Sequence, residues 1–380
     1  MRILAIDTGV GAGHVLDLIH SGINVDYYIP WFAASPDEKP HLLLSGITNK
    51  VIYPEEDYDL VVVLDVGYHS FGMPYAINYS PLFSKLEVDR VLAKSVFKDL
   101  GIPVPDYKVI STENDTLPEY SELVLKTNWR GSFETKVMKR EEAERFLRNI
   151  SVVPANPIIA EQKIDGYEIG FDLIVSEDGA IKNCFCGFVY KATVLKACNI
   201  ENIPYGIGIY LKALAQLAYE SGFRGMFSAE FIVSREGQPY IMEVAARFPY
   251  ITSLIYTYNY GFYNILRAIT SDYILPDLGN WLVGIPVFQT DQWGDIVLDE
   301  LYDYVIQAGK YQVVLSQVYK IGNKYKVMDW PLKWVGVAYG SHTELKILLE
   351  DMTSQLLGSN IPFEIEPNKL LEADEFFRSI

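Results

Sequence analysis

Glu230 and Glu243 stand in the stretch GMFSAEFIVSREGQPYIMEVAAR, where two strand-like runs flank Glu236-Gly237. A two-residue turn there sets residue 230 directly opposite residue 243, because paired positions in an antiparallel hairpin share one index sum. Like charges opposed across a ladder destabilise it, and both glutamates sit among Phe, Ile, Met and Val, so a compensating cation is called for. Oxygen ligands around a partly hydrated ion that also touches phosphate form a magnesium arrangement. A longer turn, or glutamates that face water, is the plain alternative.

Lys126 closes the apolar run LVLK and is followed by the loop TNWRGSFE, residues 127–134. A lysine at a strand end beside a glycine-containing loop can offer its ammonium and backbone N–H groups to phosphate, and a solvated strand-end lysine is the bland reading. The segment EQKIDGYE, Glu161 to Glu168, follows the apolar run Pro157–Ala160 and reads by itself as a strand edge with a glycine turn. Arg90, Lys94 and Lys98 recur every four residues on one helix face, a pattern that ordinarily faces solvent. The opening TGVGAGH looks like a phosphate-cradling turn, a signal with many false positives.

The elements that must position these groups fall into three parts. Residues 1–84 alternate short apolar runs, Arg2–Asp7, Asn24–Ile29 and Leu60–Leu64, with a helix from Val15 to Ser21, the pattern of a small parallel α/β domain with a loop over Asp65–Gly72. A helix is expected over Leu86–Leu100, stopped by Gly101 and the prolines that follow. From Tyr107 to Val244 strands dominate, with helices at Glu141–Asn149 and Gly208–Ser221. The remainder, 271–380, is mixed, with the strand-like WVGVAYG and a last helix near Thr343–Gln355.

A chain of 380 residues exceeds what one hydrophobic core supports, so two or three domains are expected. Hydrophobic residues at 49%, with 27 Tyr and 18 Phe, make it globular rather than disordered. A formal net charge of −17 disfavours nucleic acid and anionic membranes as partners, so an anionic ligand needs a local basic pocket. Cys184, Cys186 and Cys198 form neither a disulfide framework nor a zinc pattern. No signal-peptide pattern opens the chain and no apolar stretch reaches membrane-helix length, so a cytoplasmic setting is expected.

Taken in order, AKSVFKDLGIPVP, LVLK, EQKIDGYE and the hairpin ending in EVAARFP resemble the ATP-grasp superfamily, and within it phosphoribosylamine–glycine ligase, over residues 86–270. The resemblance implies an α/β and α+β protein of the ATP-grasp fold. Its parts would be an N-terminal parallel α/β domain (1–84), the ATP-grasp domain (85–270) and a C-terminal α/β segment (271–380). It implies ATP and Mg2+ as cofactors. Lys94 and Lys126 match the lysines that hold nucleotide phosphates, Glu161, Gln162, Lys163 and Ile164 the hinge that reads adenine, and Glu168 the ribose-binding acid. Glu230 and Glu243 match the magnesium ligands, and Arg247 an arginine that reaches phosphate.

The chain departs from that pattern in three places. Ala245 stands where the family has an asparagine ligand. RGSFE carries one glycine, Gly131, with Arg130 standing in for backbone donors, and a glycine-rich substrate segment is absent between Phe188 and Tyr210. The implied chemistry phosphorylates a carboxylate, and an amine then displaces phosphate to leave an amide. Glycine and phosphoribosylamine are the leading substrates. Another amino acid or amine, or nucleotide binding without ligase turnover, are the alternatives.

Overall fold

A computed structural model describes residues 1–7, 11–28, 47, 49–51, 57–64, 76–112, 115–128, 135–150, 152–189, 193–249 and 256–277. Beyond these it describes the backbone of strands between 281 and 339 and a few helical residues after 345. The expected loop over 65–72 and most of the expected last helix lie outside the described residues.

The first unit is β1 (Arg2–Ile6), α1 (Ala12–His20), β2 (Asn24–Tyr28), the short β3 (Lys50–Val51) and β4 (Leu60–Val63). They form a parallel sheet in the order β3-β2-β1-β4. Ile3, Leu4, Ala5 and Ile6 are all buried, which is why β1 reads as a continuous apolar run instead of an alternating one. The Gly-rich turn after β1 begins on Asp7, whose carboxylate accepts from Gly11 N at 2.8 Å and from the Tyr27 hydroxyl at 2.5 Å.

The single helix expected over 86–100 is two, α2 (Lys85–Val88) and α3 (Arg90–Asp99). Asp89 leaves the helical region at φ −106° and ψ 91°, and its side chain caps α3 by accepting from Leu92 N at 3.0 Å.

Next come β5 (Tyr107–Ile110), β6 (Glu122–Thr127), β7 (Lys136–Lys139), α4 (Arg140–Arg148) and β8 (Ile158–Gln162). Their antiparallel sheet runs β5-β8-β6-β7. Alternation sends Ile110, Leu123, Leu125, Ile158 and Ala160 into one core with Ala143 of α4. The same alternation sends Lys126 and Glu161 to the other face.

The largest sheet is built from β9 (Gly166–Val175), β10 (Ile181–Val189), β11 (Thr193–Ala197), β12 (Gly225–Ser234) and β13 (Pro239–Ala245), with α5 (Ile207–Glu220) and α6 (Phe262–Thr270) between or after them. It continues through β14 (Trp281–Pro286), β15 (Val305–Ala308), β16 (Tyr311–Leu315) and, past the separate hairpin of β17 (Tyr319–Ile321) and β18 (Lys324–Lys326), β19 (Lys333–Tyr339). Nine strands pair in the order β13-β12-β9-β10-β11-β14-β19-β16-β15, so this ladder crosses the boundary expected near residue 271. Phe171, Leu173, Phe227, Ala229 and Phe231 pack on α3 and α5 through Phe97, Leu211 and Leu214. Burying such side chains contributes roughly 1.5–3 kcal/mol each.

Polar contacts join the first unit to the largest sheet and to the helical residues that follow β13. His14 Nδ1 lies 2.7 Å from Thr257 Oγ1 with its ring stacked on Phe262, and burial pushes its pKa down to about 3, so it is neutral. Asn78, in the left-handed region at φ 64°, accepts from Met226 N through Oδ1 at 2.8 Å.

Candidate nucleotide and metal site

The face of β6 and β8 opposite α4 carries a buried charge cluster. Ala93 and Phe97 anchor α3 in the core, and Lys94 is drawn in with them to 3% exposure. Its Nζ lies 2.9 Å from Glu161 Oε1, and Lys126 Nζ lies 3.3 Å from Glu161 Oε2. Glu161 is wholly buried. Tyr107, its ladder partner on β5, lies beneath both Lys94 and Lys98, whose Nζ atoms sit 5.3 and 4.4 Å from the ring centroid. The basic column of α3 is therefore not a solvated face at Lys94. Burial lowers the Lys94 pKa, an effect that Glu161 opposes. Burial raises that of Glu161, but Lys126 and Lys94 together outweigh it and hold the carboxyl below its ordinary value.

The strand that carries Glu161 ends at Gln162. Gln162 N donates to Asp106 O at 2.8 Å, Lys163 N to Glu122 O at 3.4 Å, and Lys163 Nζ pairs with Glu122 at 3.0 Å on the surface. The Glu161 side chain thus turns toward the lysines, and Ile164 follows at the exit toward β9. Arg130 and Gly131 lie outside the described residues.

On the larger sheet, Glu230 and Glu243 are directly paired, both half-buried. The turn behind them differs from the expected one. Arg235, Glu236 and Gly237 form a three-residue loop closed by Ser234 N donating to Gln238 O at 2.9 Å, with Gly237 left-handed at φ 85°. A β-bulge at Met242 then restores the pairing: Phe231 faces Ile241, yet Glu230 faces Glu243. The core-facing residues of β13 change accordingly, from Ile241 to Val244.

Ala245 pairs with Ser228, and Glu168 sits opposite Ile232 on β9, so Glu168, Glu230, Glu243 and Ala245 share one sheet face. Burial raises the Glu168 pKa; Lys126 pulls it down and Glu243 pushes it further up. Glu168 therefore lies within electrostatic reach of both the lysine cluster and the glutamate pair. Among the described residues no group of three His, Cys, Asp or Glu closes a metal cage. Two opposed, half-buried carboxylates fit a hard divalent ion that keeps waters or phosphate oxygens for its other positions.

Three groups that the sequence reading missed complete the surroundings. Glu87 of α2 accepts from Arg247 Nε at 2.7 Å and from Ala246 N at 3.0 Å, which fixes the buried Arg247 just beyond β13. Asn128 ties the end of β6 to α3 by accepting from Val91 N at 2.7 Å. Asp172, on the face of Glu168, accepts from Ser228 Oγ and, at 2.8 Å, from the Tyr256 hydroxyl.

No family model matches the chain. In sequence it is similar to D-alanine--D-alanine ligases, 25% identical over 231 residues to that of Laribacter hongkongensis and 28% over 193 residues to that of Anaeromyxobacter dehalogenans. These matches cover 56% and 46% of this chain, and 73% and 61% of the relatives. In structure the likeness runs nearly end to end. N5-carboxyaminoimidazole ribonucleotide synthetase of Thermus thermophilus superposes with a TM-score of 0.66 at 15% identity, covering 96% of this chain and 99% of that one. The chain has the ATP-grasp fold. Two further ATP-grasp structures align over 93% of this chain: an L-amino acid ligase from Bacillus licheniformis (TM-score 0.62, 14% identity, 98% of that chain) and phosphoribosylamine--glycine ligase from Thermotoga maritima (TM-score 0.61, 13% identity, 97% of that chain).

Proposed function

We propose that this chain is an ATP-dependent, ADP-forming ligase that joins a carboxylate to an amine. The observation that carries this reading is a buried two-lysine cluster and an opposed glutamate pair, with Glu168 within electrostatic reach of both. Lys94 and Lys126 receive the nucleotide phosphates, and Glu230 and Glu243 hold magnesium. When bound, that ion neutralises charge on the phosphoryl oxygens. The protein's own share is positioning. The glutamate pair and Arg247, fixed by Glu87, define where the transferring group sits, and Glu168 sits where a ribose hydroxyl can be accepted. The substrate carboxylate becomes an acyl phosphate, and the amine displaces phosphate to form the amide. In support, a neighbour of the same fold, N5-carboxyaminoimidazole ribonucleotide synthetase, is solved as an ADP complex.

The finer reading takes glycine as the acid and phosphoribosylamine as the amine, on the order of the motifs. A second reading, an amino acid joined to another amino acid, is favoured by the sequence similarity to D-alanine--D-alanine ligases. Magnesium-dependent ADP release, measured with glycine plus phosphoribosylamine and with pairs of amino acids, with mass spectrometry of the amide, decides between them. ATP consumption that no acid and amine stimulate would overturn both.

A further inference from the structure

We propose that Glu161 is the shared counter-ion that positions Lys94 and Lys126 for phosphate, and that its side chain takes no part in reading the base. This deepens the proposed function and rests on the two lysines being the phosphate site. The motif order alone placed Glu161 in an adenine hinge. Its side chain instead lies between two ammonium groups at 2.9 and 3.3 Å and is wholly buried there.

Two lysines this deeply buried cannot both stay charged without an anion, because desolvation disfavours the ammonium form and each repels the other. One carboxylate that meets both lowers that cost while two basic side chains remain to one acid, a surplus of the sign that attracts phosphate. The groups facing the trio are Lys98 on α3, Tyr107 on β5 and Glu168 on β9. Tyr107 is neutral below its raised pKa and Glu168 lies on β9 in the other sheet, so neither replaces Glu161 between the lysines. The side-chain geometry leaves the base to be met by the backbone at the end of β8.

Glu161→Gln keeps the shape and removes the charge. ATP dissociation constants should rise roughly tenfold or more, the factor that one pKa unit of lost lysine charge represents. Adenosine, which lacks phosphate, should bind within about twofold of the parent, and the preference for ATP over GTP should not change. ATP affinity should also begin to fall at a lower pH in the variant than in the parent, because a buried lysine that has lost its counter-ion gives up its proton sooner. Glu161→Asp, which keeps the charge, should recover most of the ATP affinity and serves as the readout if Glu161→Gln does not fold. A Glu161 variant with parental ATP affinity and pH profile, or one whose loss extends equally to adenosine, overturns the proposal. Absence of ATP binding by the parent chain would instead overturn the function on which it rests.

Discussion

Two sheet faces of the molecule handle charge in opposite ways. On the β6–β8 face, opposite charges are buried together, with the Glu161 carboxylate between the Lys94 and Lys126 ammonium groups. On the β9–β12–β13 sheet three glutamates share one face, two of them directly opposed, and repulsion from Glu243 helps to raise the Glu168 pKa. The first pairs each charge with one of opposite sign. The second gathers carboxylates on one face, the arrangement that the proposed magnesium site would use. Such a contrast marks binding sites more reliably than any single perturbed group, since structural ion pairs perturb pKa values too.

The sharpest way to break the comparison is Glu243→Gln. Loss of one metal carboxylate should reduce magnesium-dependent ADP release by roughly 100-fold or more, while removal of a like-charge contact leaves the melting temperature unchanged or higher. A fall in stability comparable to that of a core substitution would show that the pair is held by the protein itself. Lys126→Ala tests the other face and should show both effects. ATP affinity should fall about tenfold or more, and stability by about 1–3 kcal/mol because Glu161 keeps only one partner; calorimetry and denaturant unfolding measure the two.

Ala245→Asn should have a smaller effect of the opposite sign. An amide oxygen beside Glu243 should lower the magnesium concentration for half-maximal activity by about threefold, in keeping with one added neutral ligand. A magnesium titration at saturating ATP checks it, and an unchanged curve in a folded variant would remove residue 245 from the metal's border. The least effect is on acid stability. Glu168 has a folded pKa above its ordinary 4.5, so the folded chain takes up its proton first and gains stability as pH falls from neutrality toward 4.5. Glu161 has a folded pKa below 4.5, so its contribution is present above that value and is lost as pH falls beneath it. Unfolding curves across this range should show the gain vanish in Glu168→Gln, with the loss at lower pH retained.

The periodicities that the sequence displays are local, and what they fix is local. The parallel strands of the first unit, α4, α5 and the facing of Glu230 and Glu243 were all legible from apolar patterns and turn residues. The partner of a buried charge is not. Nothing near Lys94 reveals that a glutamate 2.9 Å away waits on another strand, so a helical repeat of basic residues reads as solvated. Glu87 and Asn128 were invisible for the same reason, since each acts on a segment distant in the chain. Asp89 did carry a signal, an N-cap residue before a helical run, but the helix propensity of its neighbours masked the break. The glutamate hairpin is instructive in another way, because the expected pairing is reached through a loop one residue longer and a bulge one residue wide.

That bulge makes Met242 the one supernumerary residue of the hairpin. Without it Glu243 would follow Ile241 directly, and Glu230 would still meet Glu243, Ala229 still meet Val244, and Ser228 still meet Ala245. Loss of Val244 would not be so forgiving, since it would turn Ala245 to the opposite side of the sheet. The strand thus has a single point at which its length can change by one without altering what any other side chain faces, and that point adjoins a residue on which the proposed metal site depends.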